Sequence, residues 1–182
     1  ELALQAITAL GGHINKSSVF ARKNYFYPDL PKGYQITQYD RPIGEGGAVA
    51  VPDDSGAARE IRLTRIHLEE DAGKLLHPED GGPDSRVDLN RCGTPLIEIV
   101  SEPEIQSPQE AGAYVRKLKQ TLQYVGVCDG DMEKGQLRCD ANVSVARSGD
   151  STLGTRTEMK NLNSFKAVER ALAFEIKRQT EL

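Results

Sequence analysis

The sequence predicts an α+β fold, a mostly antiparallel sheet with flanking helices. Strand-like runs outnumber helical ones and come in groups instead of alternating with helices. Turn chemistry at 29–33, 42–47 and 52–56 brackets those runs. Elsewhere the apolar period switches to three and four residues behind capping residues. In chain order, Glu1 to Ile7 reads as the end of an amphipathic helix stopped by Gly11-Gly12. Ser18 to Tyr27 is β-branched and aromatic, closes at Pro28, and predicts a strand; Tyr34 to Tyr39 predicts a second. Ala48 to Val51 is a short hairpin strand. In Glu60 to Glu70, Ile61 and Leu63 alternate, and Ile66 and Leu68 then fall out of phase, which predicts a bulge near Arg65. His77 to Ser85, rich in Pro, Gly and Asp, reads as a mobile loop. Val87 to Asn90 and Leu96 to Val100 are further strands.

Ser107-Pro108-Gln109-Glu110 is a capping box with Pro at the first helical position. Ala111, Tyr114, Val115, Leu118, Leu122 and Val125 follow at helical spacing up to Gly126. Leu137 to Val145 and Gly154 to Asn161 predict two more strands. Asn163 or Ser164 caps a final helix running through Leu182.

The chain has 182 residues, 38% hydrophobic and 5% aromatic, with 27 acids against 23 bases and a net charge of −4. That composition is globular, and the length suits one domain or one domain plus a lobe. No apolar run approaches about 18 residues, so no membrane-spanning helix is expected. The mild acidity excludes holding nucleic acid by bulk charge alone. Cys92, Cys128 and Cys139 are odd in number and form no CxxC pair, which argues against a disulfide framework or zinc knuckle and for a reducing compartment. No signal pattern opens the chain and no cap closes it, so both ends are expected to be cuts in a longer polypeptide.

Classical nucleotide motifs are absent. Gly73-Lys74 lacks the upstream glycine of a phosphate-binding loop, and Gly44 to Gly47 sits in an acidic turn. His13, His67 and His77 show no metal-pair spacing. The informative run is Leu137 to Val145. Alternation puts Leu137, Cys139, Ala141, Val143 and Val145 on a core face, and Arg138, Asp140, Asn142 and Ser144 on the other. A plain solvated sheet face is the competing reading. Against it, a carboxylate between a phosphate-capable Arg and an amide suits a magnesium–phosphate site. Arg156, Glu158 and Lys160 share a face on the next strand, where an exposed ion-pair ladder is the alternative. Glu69, Glu70 and Asp71 stand at a strand end, a place where a solvated turn is the blander account. Carboxylates from separate strands could converge on one hard cation. Glu98, within the apolar Pro95 to Val100, needs a partner such as Arg91, or else lines a site.

These strings, in order along nearly the whole chain, resemble the GatB family, the B-type component of the aspartyl/glutamyl-tRNA amidotransferases. The resemblance is carried by Arg22-Lys23-Asn24-Tyr25-Phe26-Tyr27-Pro28-Asp29, Tyr34-Gln35-Ile36, His67 to Lys74, Val87 to Asn90, Thr94 to Pro103, Leu137 to Ser144 and Glu158 to Ser164. It implies that residues 1–182 are a fragment of one catalytic cradle domain, of a glutamine synthetase and guanidino kinase type without a phosphate-binding loop. The upstream segment, with further metal ligands, and the C-terminal helical and tail domains would be missing. It implies a ligase forming a carbon–nitrogen bond with glutamine as amido donor. ATP would phosphorylate the side-chain carboxylate of Glu or Asp misacylated on tRNA-Gln or tRNA-Asn, and channelled ammonia would then displace phosphate.

ATP and Mg²⁺ are the implied cofactors. The implied partners are the amidase component of the amidotransferase and its small third component, which complete a heterotrimer, and the misacylated tRNA. The implied compartment is a cytoplasm of bacterial type, with an organellar homologue as the alternative. By position, Glu70, Asp140 and Glu158 fall on the family's magnesium-ligand positions. Lys23, Tyr25, Lys32 and Glu98 fall near its acceptor-end and ammonia-path residues. Arg138, with Asn142 beside it, is a phosphate or nucleotide contact by strand phase. A carboxylate-rich metal-binding or scaffold domain without catalysis is the alternative function.

Overall fold

The computed structural model describes residues 1–52, 56–78, 81–150 and 152–182. The expected loop at 77–85 and turn at 52–56 therefore lie partly outside the described residues. The order of elements is α1 (Leu2–Ala9), β1 (His13–Ile14), β2 (Ala21–Asn24), β3 (Tyr34–Thr37), β4 (Gly44–Glu45), β5 (Ala48–Pro52), β6 (Ala58–Glu70), β7 (Lys74–Leu76), β8 (Arg86–Asp88), β9 (Pro95–Ser101), α2 (Pro108–Tyr124), β10 (Cys139–Val143), β11 (Thr157–Leu162) and α3 (Phe165–Thr180). The class is α+β, as expected, and the pairings are antiparallel. Among the described residues, no helix is long and apolar enough to cross a membrane.

Two compact units divide the chain. The first holds residues 1–47 and 63–101. Its centre is the second half of β6. β9 runs along one side of β6, with His67 opposite Glu98. β4 and β3 meet the other side, at Ile66 and at Glu69, and carry β1 and β2 outward. The expected bulge exists: the β6–β9 register shifts between Leu63 and Arg65. That shift lets Leu63 and Ile66, three apart, both be buried, which strict alternation forbids. α1 buries Ala3, Ala6 and Ile7, and Gly44 of β4 receives Ile7; a Cβ there would stand 2.5 Å from Ile7 Cδ1. β2 is shorter than the expected strand and exposed throughout. The two-residue strands β1 and β4 are too short to show a sequence period.

The second unit holds residues 48–62 and 102–182. Here α2 and α3 pack together, and Ala111, Leu162, Val168 and Leu172 form a core against Cys139, Ala141, Val143 and Met159. Ser107 caps α2, its Oγ accepting from Glu110 N at 3.1 Å. The capping box is only half realised. The Glu110 carboxylate accepts from Gln106 N and from Arg59, at 2.6 and 2.7 Å, instead of from Ser107 N. Gly126, at φ 73°, follows the last turn of α2 as expected. Ser164, not Asn163, caps α3, which ends at Thr180 and not at Leu182.

Candidate functional site

The first unit gathers its functional groups where β2, β3 and β9 surround the end of β6. Leu63 to Glu70 alternates poorly because this strand is covered on both faces, so His67 is fully buried and Glu69 nearly so. His67 Nε2 lies 3.3 Å from Glu69 Oε1 and 3.1 Å from Glu98 Oε2. Thr37 Oγ1 donates to Glu69 Oε1 at 2.9 Å and Gln35 Nε2 to Glu69 Oε2 at 3.2 Å. Burial pushes the His67 imidazolium down, but its bonds to Glu69 and Glu98 outweigh that and hold its pKa above the ordinary value. Burial likewise pushes the Glu69 carboxyl up, and His67 and Thr37 more than reverse it.

Glu70, on the opposite face of the strand, is paired with Lys32 and accepts from Ile36 N at 2.9 Å. Burial raises its carboxyl; Lys32 and that N–H bring it below the usual range. Lys32 also lies 4.6 Å from the centre of the Tyr34 ring. Lys23 is exposed on β2, and Tyr25 follows it half-buried, its phenol pushed up by burial and by the nearby Asp29, Glu69 and Asp71. Lys23, Tyr25, Lys32, Glu70 and Glu98 thus all belong to this unit.

The partner of Glu98 is His67; Arg91 pairs instead with Asp71 at 3.0 Å. The sequence reading missed His67. Its pairing with Glu98 depends on the β6–β9 register, which separates the two by 31 positions in sequence. The one local signal was the spacing of His67 and Glu69, which puts them on one face of a strand. One atom from each of His67, Glu69 and Glu98 lies within 4.8 Å of the others. His67 Nδ1 is buried with no hydrogen-bond partner among the described residues. An imidazole nitrogen with two carboxylate oxygens fits a divalent cation by donor type.

In the second unit, Cys139, Ala141 and Val143 of β10 and Met159 of β11 pack on the helix-facing core, as the alternation predicted; β10 ends at Val143, and Ser144, expected on the outward face, lies beyond it half-buried. Arg138, Asp140 and Asn142 are exposed, as are Glu158 and Lys160. Asn142 stands directly opposite Glu158. Lys160 Nζ is 3.5 Å from Glu158 Oε2. Asp140, Glu158 and the Asn142 amide oxygen, standing on this face alongside Arg138 and Lys160, are oxygen donors of the type a hard cation such as Mg²⁺ takes. Burial, then the Asp140 charge, raises the Cys139 thiol to about 11, which favours the thiol over the thiolate at neutral pH. The second unit holds Asp140 and Glu158, and the first holds Glu70.

At the Val143–Thr157 end of the β10–β11 pair, α3 is tied to the strands through Glu175 and Gln179. The Glu175 carboxylate accepts from Arg178 at 2.6 and 2.8 Å, from Gln179 Nε2 at 2.9 Å and from Thr157 Oγ1 at 2.8 Å. Gln179 Nε2 also donates to Val143 O at 3.2 Å. Arg178 first, then Gln179 and Thr157, lower the Glu175 carboxyl to about 2. A depressed carboxyl contributes stability above its unfolded value near 4.5 and loses it as pH falls towards about 2. Thermal melting followed by circular dichroism between pH 6 and 2.5 is therefore expected to show a falling midpoint. Glu175→Gln should start lower and fall less steeply; an unchanged slope would remove Glu175 from that account.

Known proteins bear on what these groups serve. The family described as "GatB/GatE catalytic domain" matches residues 1–182. Similar curated proteins include one from Desulfotalea psychrophila, 56% identical over 182 residues, and one from Halorhodospira halophila, 58% identical over 181. Another, from Geobacter sulfurreducens, is 58% identical over 184. Each comparison covers 100% of this chain and 38% of the relative. All three relatives are named as the B-type component of an aspartyl/glutamyl-tRNA(Asn/Gln) amidotransferase. The chain thus spans a little over a third of their length.

Proposed function

We propose, because this chain belongs to the GatB/GatE catalytic domain family, that it carries the phosphorylating and amidating chemistry of a tRNA-dependent amidotransferase. The observation that supports this most is the family match over residues 1–182, together with relatives at 56 and 58% identity named for that component of the enzyme. The substrate is Glu on tRNA-Gln or Asp on tRNA-Asn. Its side-chain carboxylate attacks the γ-phosphorus of ATP; ADP leaves, and an acyl phosphate forms. Ammonia then attacks the acyl carbon, phosphate leaves with the C–O bonding pair, the nitrogen gives up one proton to the departing phosphate or to water, and the amide remains. The amidase component, with a small third one, supplies that ammonia from glutamine.

Phosphoryl transfer asks the protein mainly to position reactants and offset charge. Mg²⁺, when bound, would supply positive charge to offset the negative charge that develops during phosphoryl transfer. Within the second unit, Asp140 and Glu158 are the carboxylates that would hold it; within the first, taken by itself, Glu70 is the candidate ligand. Arg138 and Asn142 contact phosphate from the same face as Asp140. In the first unit, Lys32 holds Glu70 in its ionised form. Lys23, Tyr25 and Glu98 guide the acceptor end and ammonia.

The test is phosphate release from γ-labelled ATP by the full-length protein in its assembled complex, with and without Glu-tRNA-Gln or Asp-tRNA-Asn. Release is expected only with a misacylated tRNA, and amide formation only when ammonia or glutamine is added. Tight binding of Mg²⁺ and tRNA without any ATP turnover would support a scaffold domain instead.

A further inference from the structure

Asn161 is the one non-glycine among the described residues with a positive φ, at 62°. The left-handed region costs most residues roughly 1–2 kcal/mol, and Asn is among the few that enter it readily. Its setting gives the reason. Cys139 pairs with Leu162 and Ala141 with Met159, so one residue of β10, Asp140, faces two of β11, Lys160 and Asn161. This is a β-bulge, and Asn161 is the residue in the left-handed conformation that makes it.

The extra residue changes which side chains share a face. In an unbroken strand, Glu158, Lys160 and Leu162 would all project to solvent. Leu162 is instead 8% exposed and belongs to the helix-facing core, as does Met159 on its edge. Lys160 and Asn161 are both exposed. The bulge also alters the polar face. Continued from the Asn142–Glu158 and Ala141–Met159 pairs, a regular ladder would set Lys160 directly across from Asp140, within reach for a cross-strand ion pair. In this structure the ion pair of Lys160 is with Glu158, at 3.5 Å.

We propose that Asn161 is a positioning residue. By holding the bulge with its backbone, it keeps Lys160 from being the single residue directly across from Asp140, so that of the two outward carboxylates only Glu158 carries the Lys160 ion pair and Asp140 is left to a divalent cation. This rests on the assignment of Asp140 to the cation. It adds a residue that touches neither cation nor substrate and acts through backbone conformation. The role needs a positive φ and not an amide, so glycine should serve as well as asparagine, and a side chain branched at Cβ should not.

The test is Mn²⁺ binding, read by electron paramagnetic resonance, and the Mg²⁺ half-saturation of ATP-dependent phosphate release. Both use the full-length protein in its complex. Asn161→Val should weaken both by about 10–100-fold, the scale seen when groups supporting a metal site are lost. Asn161→Ala, less disruptive to folding, should weaken both in the same direction with a melting midpoint close to the parent's. Asn161→Gly should restore both. Asp140→Asn runs in parallel. If Asp140→Asn changes neither reading, the assignment of Asp140 to the cation is wrong. If Asp140→Asn weakens binding while Asn161→Ala does not, or if Asn161→Gly is as weak as Asn161→Ala, the backbone role is wrong.

Discussion

Asp140→Asn in the full-length protein is expected to slow ATP-dependent phosphate release by roughly 10²–10³-fold, the cost of removing one strong electrostatic group from a reacting centre. The substitution keeps shape and one oxygen and removes the charge. Asp140 is exposed on the outward face of β10, so its replacement leaves the helix-facing core intact. Exposed substitutions away from special features usually change stability by less than about 0.5 kcal/mol. The predicted signature is therefore a large rate loss at an unchanged melting temperature. Raising Mg²⁺ should recover part of the loss, because a neutral amide oxygen still ligates, though weakly. Measuring kcat against Mg²⁺ concentration for both proteins decides the matter. Equal rates would take Asp140 out of the cation's coordination, and a collapsed melting temperature would show a structural role instead.

How much of this was legible beforehand depended on whether the governing contact was local. Capping and helical spacing are local, so α2 and α3 were readable to within a residue or two. The outward placement of Asp140, Asn142 and Glu158 followed from alternation alone. So did the bulge near Arg65, because Ile61, Leu63 and Ile66 break phase within one strand. The bulge at Asn161 left a similar trace, since Met159 and Leu162 are three apart and both apolar, but the expected strand stopped at Asn161 and so never met Leu162. Contacts set by strand register were not legible. Glu98 showed that it needed a partner, and nothing in sequence said that β9 would lie beside β6 with His67 across from it. Arg91 was the nearer cation along the chain and the wrong one.

That register makes His67 a residue whose loss should cost substantial stability. With a chelator present, His67→Leu is expected to destabilise the protein by about 3 kcal/mol, the lower end of the roughly 3–5 kcal/mol for removing one member of a buried ion pair. The lower end applies because Thr37 and Gln35 still hydrogen-bond to Glu69. The double variant His67→Leu, Glu69→Leu should regain part of that loss, since no lone charge stays buried. pH gives the independent check. The pKa of His67 is raised above 6.5 in the folded protein, so its contribution is complete below 6.5 and is lost as pH rises through the raised value. Glu69 is lowered from 4.5, so its contribution is present above 4.5 and is lost as pH falls through the lowered value. Between those two limits the pair is worth most. Urea midpoints from pH 5 to 9 should therefore decline on the alkaline side in the parent and stay flatter in His67→Leu. A decline of the same slope in both would place the titrating group elsewhere and leave His67 a neutral member of the core.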